Sequence, residues 1–314
     1  MANAMFLTSI NVLSNILWRW SILLKNWNLK RLIAGTIPRD DFELARGPFR
    51  LRGRRLECGG QILPVVRGTP ALMAAAAATA DVLGLAPLDA ILAGDSGGGR
   101  GSRALYARLC GEPPSCRGVT FHYLLPDIQW HNSVLWALEA LSPAPLLVAD
   151  AGFMYAAKMS GFASHYDLFT PDAGEMAFLA DERAPHPFYT RGFLLQEEER
   201  IPELIRMAYA SENSARHLLV KGSTDHMVAH GRVVAEVGEP RTPAMEAIGG
   251  TGDTLTGMVT ALLASGLGIP RACRTAALAN RLLGVFGKPS PATGVGELIS
   301  FLPQALEKAM ADSA

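Results

Sequence analysis

The order of apolar and polar positions divides the chain in two. Near the start, Phe6, Ile10, Leu13, Leu17, Trp20, Leu24 and Trp27 recur at alternating spacings of four and three. That period lays one apolar stripe along an amphipathic helix. From about residue 56 the pattern changes to short apolar runs set between longer helical stretches. Residues 61–66, 89–93, 119–125, 146–148, 167–170 and 217–220 read as strands. Residues 71–83 are alanine-rich and helical in composition. Further helices are predicted through Leu105, around residues 131–141, after Asp150, from Gly174 and near residues 198–209. Strands alternating with helices of this length imply crossovers that build a mostly parallel sheet, covered on both faces. Val228 and residues 233–237, joined across His230-Gly231, read as a hairpin added to that sheet. After Gly250 the pattern is helical to the end, and no internal repeat is visible.

Composition sharpens the division. Residues 1–39 contain no Asp or Glu, carry Arg19, Lys25, Lys30, Arg31 and Arg39, and hold three of the five tryptophans. A basic amphipathic helix either lies on a membrane surface or serves as a targeting presequence, or it packs back on the body as an appended extension. The second reading places the extension at residues 1–38 and the folded domain at 56–314. It makes residues 1–35 dispensable for activity, whereas the first reading gives a surface contact through residues 5–27. Polar Asn and Ser interrupt the apolar stretch, which argues against a secretory signal.

The chain as a whole is 49% hydrophobic and 18% charged, which excludes intrinsic disorder. Basic and acidic residues balance at 29 each, so no net field draws the protein to nucleic acid. The longest apolar run, residues 71–78, is far short of a membrane-spanning segment. Cys58, Cys110, Cys116 and Cys273 form no paired zinc spacing. They read as buried thiols of a cytoplasmic protein.

Glycine marks the candidate chemistry. Gly249, Gly250 and Gly252 end an irregular segment, and a helix with apolar Leu255, Val259, Leu262 and Leu263 begins at once. Glycines permit close backbone approach, and a helix start offers unpaired N–H groups and the positive end of its dipole. That combination binds phosphate. Asp253, in the first turn, serves either as a capping residue or as a general base for an attacking hydroxyl. The earlier run of residues 94–101 also follows a strand and opens a helix. It is either a flexible turn or an anion and substrate site at the sheet's carboxyl edge. Lys221-Gly222 closes the strand at 217–220 and points at the expected ligand crevice. There is no Walker A motif and no G-x-G-x-x-G dinucleotide fingerprint.

Taken in order, these segments resemble the ribokinase-like superfamily and, within it, the NAD(P)H-hydrate dehydratase branch. Ala93-Gly94-Asp95 with the glycines that follow resembles the branch's Gly-Pro-Gly-Leu-Gly loop. Residues 147–151 (LVADA) resemble its strand ending in D-A-D, and residues 170–175 (TPDAGE) its T-P-H-x-G-E. Val220-Lys221-Gly222 resembles its K-G turn, and residues 250–257 (GTGDTLTG) its G-T-G-D-x-L-x-G. Residues 294–303 resemble its C-terminal helix. The resemblance spans roughly residues 59–307. Three positions depart from the branch: Val148 stands for Asp, Asp172 for His, and Asn280-Arg281 for His-Gly.

The resemblance implies a three-layer αβα sandwich around a mostly parallel central sheet. It implies an ADP- or ATP-dependent dehydratase, a carbon–oxygen lyase that repairs hydrated NADH or NADPH by phosphorylation and phosphate elimination. Asp253 would be the base. Lys221, Gly222, Gly250, Thr251, Gly252 and Thr254 would hold the nucleotide phosphates. Gly94, Asp95, Gly97, Asp150 and Asp172 would line the substrate cleft. Glu175 would order Mg2+ through water or phosphate. A small-molecule kinase of the same superfamily, or a nucleotide-binding regulator without turnover, stays open beside this reading. The oligomeric state is also left open.

Overall fold

A computed structural model describes residues 31–184 and 200–312. Its centre is an 11-stranded sheet in the order β11-β10-β9-β8-β7-β6-β1-β5-β2-β3-β4. The middle strands β5 (Asp89–Gly94), β1 (Arg31–Ile37), β6 (Gly118–His122), β7 (Leu146–Ala149), β8 (Leu168–Phe169) and β9 (His217–Val220) are all parallel. Antiparallel strands close both flanks. One flank is β10 (Asp225–Ala229) with β11 (Arg232–Val237). The other is β2 (Ala45–Arg52), β3 (Arg55–Cys58) and β4 (Gln61–Pro64).

Successive residues of each central strand feed opposite faces, as the pleat requires. Ile33, Val148 and Leu219 join one core, with α1 (Thr69–Val82), α7 (Thr251–Ala264), α8 (Ile269–Gly287) and α10 (Leu302–Asp312). Leu32, Leu147 and Leu218 join the other. That second core holds α2 (Arg100–Gly111), α3 (Ile128–Glu139), α4 (Gly152–Met159), α5 (Ala173–Ala180) and α6 (Ile201–Ala210). A further turn of helix, α9 (Val295–Leu298), precedes α10. The architecture is the expected αβα sandwich around a mostly parallel sheet.

The alanine run of α1 is explained by its partner. Ala71, Ala74, Ala75 and Ala78 are buried against the helix layer that contains α7. A Cβ at Gly257 of α7 would collide with the Leu72 carbonyl. Small side chains on both helices let their backbones approach, and this sets the two helix N-termini side by side at one end of the sheet.

One expectation is corrected. Arg31–Ile37 is not the tail of an extension: it is β1, buried at every position between β5 and β6. The folded domain therefore takes in Arg31–Ile37 rather than beginning at residue 56, and residues 39–55 supply a turn and β2. A deletion through residue 35 removes most of a central strand. The short run Leu32-Ile33-Ala34, flanked by Arg31 and Arg39, was masked by the basic stretch before it; strands buried on both faces show no alternation. The amphipathic stripe from Phe6 to Trp27 lies outside the described residues. The strand beside β7 is β6, and the loop at Gly94 ends β5, two strands further along.

Candidate active site

The parallel strands end together along one edge of the sheet, where ligands of open α/β folds bind. Loops after β6, β7, β8 and β9 meet the N-terminus of α7 there around a cavity of about 670 Å³, within the ordinary size range of small-ligand sites.

Asp253 stands at its centre. Gly250 caps α7 in a left-handed conformation, φ 104°, and no side chain caps the helix. Asp253 instead turns away from its own helix start. Its Oδ2 accepts the Gly68 N–H at 2.6 Å, and its Oδ1 lies 3.1 Å from His122 Nε2. The first-turn N–H groups of α7 are left without a side-chain acceptor, which suits them to an anion. Burial acts to raise the Asp253 carboxyl. The His122 hydrogen bond, the charge of Lys221 and the Gly68 N–H outweigh it and hold the group below the usual carboxylate range. Asp253 is therefore ionised at neutral pH.

Lys221 closes one side. Its backbone N–H donates to the Pro171 carbonyl at 2.7 Å, and its ammonium sits 3.1 Å from each oxygen of Asp150. Burial acts to lower this lysine, but Asp150, Glu175, Asp172 and Asp253 raise it further, so it stays protonated. Asp150 is buried and engaged: it also accepts from Thr256 Oγ1 at 2.8 Å and from the Ala151 N–H at 3.0 Å. The residue after it, Ala151, holds φ 51° and ψ −132°, backbone that glycine favours.

Asp172 and Glu175 form a reciprocal capping box at the start of α5. Asp172 Oδ1 accepts the Glu175 N–H at 2.8 Å, and Glu175 Oε2 accepts the Asp172 N–H at 2.9 Å. Glu175 Oε1 accepts the Tyr155 hydroxyl at 2.6 Å. Burial, reinforced by Asp172, pushes the Glu175 carboxyl up to about 8. Among the described residues no cluster of His, Cys, Asp and Glu forms a ready metal cage. Asp172 and Glu175 nonetheless line the cavity, and a cation carried in on phosphates would draw the proton off Glu175 and leave two carboxylates for its water shell.

Asn280 and Arg281, the departure on α8, have structural work to do. Asn280 Oδ1 accepts from Thr254 Oγ1 at 2.7 Å, and its Nδ2 donates to the Thr251 carbonyl at 3.1 Å. This ties α8 to the start of α7. The Arg281 guanidinium pairs with Asp225 at 2.9 Å and donates to the carbonyls of Gly222, Ser223 and Gly238. It thereby shapes the turn after Lys221.

Of the residues expected from sequence, Asp253, Lys221, Gly222, Gly250, Thr251, Gly252, Asp150, Asp172 and Glu175 line the cavity together. Thr254 does not: its side chain is fully buried and bonded to the Thr251 carbonyl and Asn280. Gly94, Asp95 and Gly97 do not line it either. Asp95 spends both oxygens inside its own loop, accepting from the N–H groups of Gly97, Gly99 and Ser102 and from the Ser102 hydroxyl. A Cβ at Gly94 would strike the carbonyls of Arg39 and Phe42. The base of this loop is packed into the fold, while Ser96, Gly97 and Gly98 are exposed at its tip.

Sequence reasoning missed His122, Tyr123 and Thr256. The signal for His122 was available, because a histidine at the carboxyl end of a parallel strand faces the crevice. Tyr123 follows it with φ 53° and is 52% exposed at the cavity mouth. A Cβ on Gly68 would touch its ring edge at 3.8 Å, so the ring lies beside the Gly68–Asp253 contact.

Known proteins match this picture. A family model described as NAD(P)H-hydrate dehydratase, of the carbohydrate-kinase type, matches residues 125–290. That range contains the Asp150, Lys221 and Asp253 segments and excludes the Gly94 loop. An uncharacterized protein of Methanocaldococcus jannaschii, MJ1337, is 37% identical over 221 residues, which cover 70% of this chain and 91% of the relative. Among solved structures, a ribokinase-like superfamily protein of Enterococcus faecalis superposes with a TM-score of 0.55 at 18% identity, covering 91% of this chain and 88% of that one. The ADP/ATP-dependent NAD(P)H-hydrate dehydratase of Bacillus subtilis, co-crystallized with ATP/Mg2+, gives 0.52 at 15% identity, covering 90% and 93%. Identities this low speak for the fold alone. The family model and the archaeal relative decide the rest: the chain belongs to the NAD(P)H-hydrate dehydratase family of carbohydrate-kinase-like enzymes.

Proposed function

We propose that the protein is an ADP- or ATP-dependent NAD(P)H-hydrate dehydratase, a lyase that phosphorylates the ring hydroxyl of hydrated NADH or NADPH and then expels phosphate. The observation that carries this reading is the junction at Asp253. An ionised carboxylate, a protonated lysine and an uncapped helix N-terminus face one cavity.

The backbone N–H groups of Gly250, Thr251 and Gly252 receive the transferring phosphoryl group at the positive end of α7. Lys221, steadied by Asp150 and by the Arg281-braced turn, neutralises the nucleotide phosphates. Asp253 accepts the proton of the substrate hydroxyl as that oxygen bonds to phosphorus and the bond to the departing nucleotide breaks. Phosphoryl transfer passes through a loose transition state, so the nucleophile needs its proton removed only late. A carboxylate of depressed basicity suffices for that. In the second step the ring C–O bond breaks, inorganic phosphate leaves and a neighbouring C–H proton is lost, restoring the double bond. Magnesium bound with the nucleotide would neutralise phosphate charge, with Asp172 and Glu175 holding its water shell. Four cysteines unbonded to one another fit a cytoplasmic setting.

The test is direct. The protein is incubated with ADP or ATP, magnesium and hydrated NADH. Recovery of NADH absorbance with stoichiometric phosphate release is the expected result. Nucleotide consumption only with another hydroxylated substrate overturns it in favour of a kinase, and binding without turnover in favour of a regulator.

A further inference from the structure

Thr69, His122 and Asp253 come from α1, β6 and α7 and form one continuous hydrogen-bonded line. The His122 ring is 1% exposed, with Nε2 3.1 Å from Asp253 Oδ1 and Nδ1 3.0 Å from Thr69 Oγ1. A neutral imidazole offers one donor and one acceptor. An ionised carboxylate only accepts, so Nε2 must carry the proton. Nδ1 is then the acceptor, and the Thr69 hydroxyl must donate to it. With a neutral ring the line thus has one self-consistent pattern, whereas a doubly protonated ring would donate from both nitrogens. Backbone geometry is built around it: a Cβ on Gly35 of β1 would come within 2.7 Å of the Thr69 side chain and 3.0 Å of the His122 carbonyl. Glycine there lets Thr69 stand against His122.

We propose that His122 is a positioning residue for Asp253, locked in its Nε2–H tautomer by Thr69, and that it aims the carboxylate's remaining lone pairs into the cavity. The proposal deepens the dehydratase reading and rests on Asp253 being the base. His122 itself is too buried to meet substrate. The other charged and titratable groups around the carboxylate are Lys221, Asp150, whose Oδ2 lies 3.9 Å from His122 Nε2, and Tyr123 at the mouth. None of these replaces the Nε2 donor. Without it Asp253 keeps one anchor, the Gly68 N–H, and is free to rotate toward Lys221.

The experiment compares variants of the full chain in the NADH-recovery assay across pH, with folding checked by circular dichroism. His122→Leu is expected to lower kcat about a hundredfold, the scale of a misplaced reacting group, with little change in KM for nucleotide or hydrate. The acid limb of its kcat profile should move to higher pH, because the donor holding Asp253 ionised is gone. His122→Gln, whose amide nitrogen can reach Oδ1, should recover most of the rate and the original limb. Thr69→Val should lose part of the rate and Thr69→Ser should not; this pair decides the matter if His122→Leu does not fold. Nitrogen NMR of the wild-type ring at pH 7 should show the Nε2–H tautomer. A folded His122→Leu with unchanged kcat and acid limb, a His122→Gln as impaired as His122→Leu, or an Nδ1–H tautomer overturns the proposal. Asp253→Asn is measured alongside. If that variant keeps its turnover, the base assignment fails; if it is inactive while His122→Leu is not, only the positioning role fails.

Discussion

Two glycine-rich turns with an aspartate, 94–101 and 249–253, look alike in sequence and do opposite things. Asp95 accepts four hydrogen bonds from its own loop and from the start of α2, so its carboxylate is spent within the turn. Asp253 gives its oxygens to Gly68 and His122, residues distant in the chain, and leaves the start of α7 uncapped beside Lys221. A carboxylate that satisfies its own turn is a fold element. One that reaches away leaves a helix N-terminus open for phosphate.

The sharpest way to break this contrast is to neutralise each aspartate. Asp253→Asn should lower turnover by roughly 10²–10⁴-fold, the usual contribution of a general base. Nucleotide affinity, measured by calorimetry, should survive because the N–H donors remain. Asp95→Ala should show the converse. It leaves several buried donors unpaired and should cost about 3 kcal/mol of stability, seen in chemical denaturation, while turnover per folded molecule holds. A large loss of kcat in folded Asp95→Ala would return that loop to the active site.

The glycines form a second matched pair with smaller effects. A Cβ at Gly252 would meet only the Lys221 side chain, at 3.7 Å, so Gly252→Val should fold. It should weaken ADP and ATP binding about tenfold to a hundredfold by obstructing charge-assisted backbone hydrogen bonds. Gly97 has φ 108° and nothing within 4 Å of a Cβ. Gly97→Ala should cost about 1–2 kcal/mol of backbone strain and leave nucleotide binding unchanged.

The last expected effect lies at Glu175 and is read as a pH slope rather than as a loss of rate or affinity. Its folded carboxyl is pushed up to about 8 from an ordinary 4.5, so between those values the folded protein holds a proton that the unfolded chain releases. Its contribution to stability therefore declines as pH rises through that window. Thermal unfolding from pH 5 to 8 should show this decline in the wild type and a flatter profile in Glu175→Gln. Equal slopes would mean that the capping box leaves Glu175 unperturbed.

By itself the chain determined the sandwich from β4 onward, the closing hairpin and most of the cavity lining. Parallel strands separated by helices leave a strong local pattern, and the Lys221 and Gly250–Asp253 segments carry their chemistry in consecutive residues. Four things needed the tertiary structure. β1 is a short apolar run whose strand identity comes from its neighbours on both sides, β5 and β6, rather than from any alternation of its own. Which glycine loop lines the cavity depends on sheet order, since β6 and not β5 lies next to β7. Thr254 carries the expected motif letter but spends its hydroxyl on Asn280. The Thr69–His122–Asp253 line joins three segments whose approach is set by the close packing of α1 on α7 and by the bare backbone at Gly35. Hydrogen bonds between residues so far apart leave no periodic trace in a sequence, because what creates them is which elements the fold brings into contact.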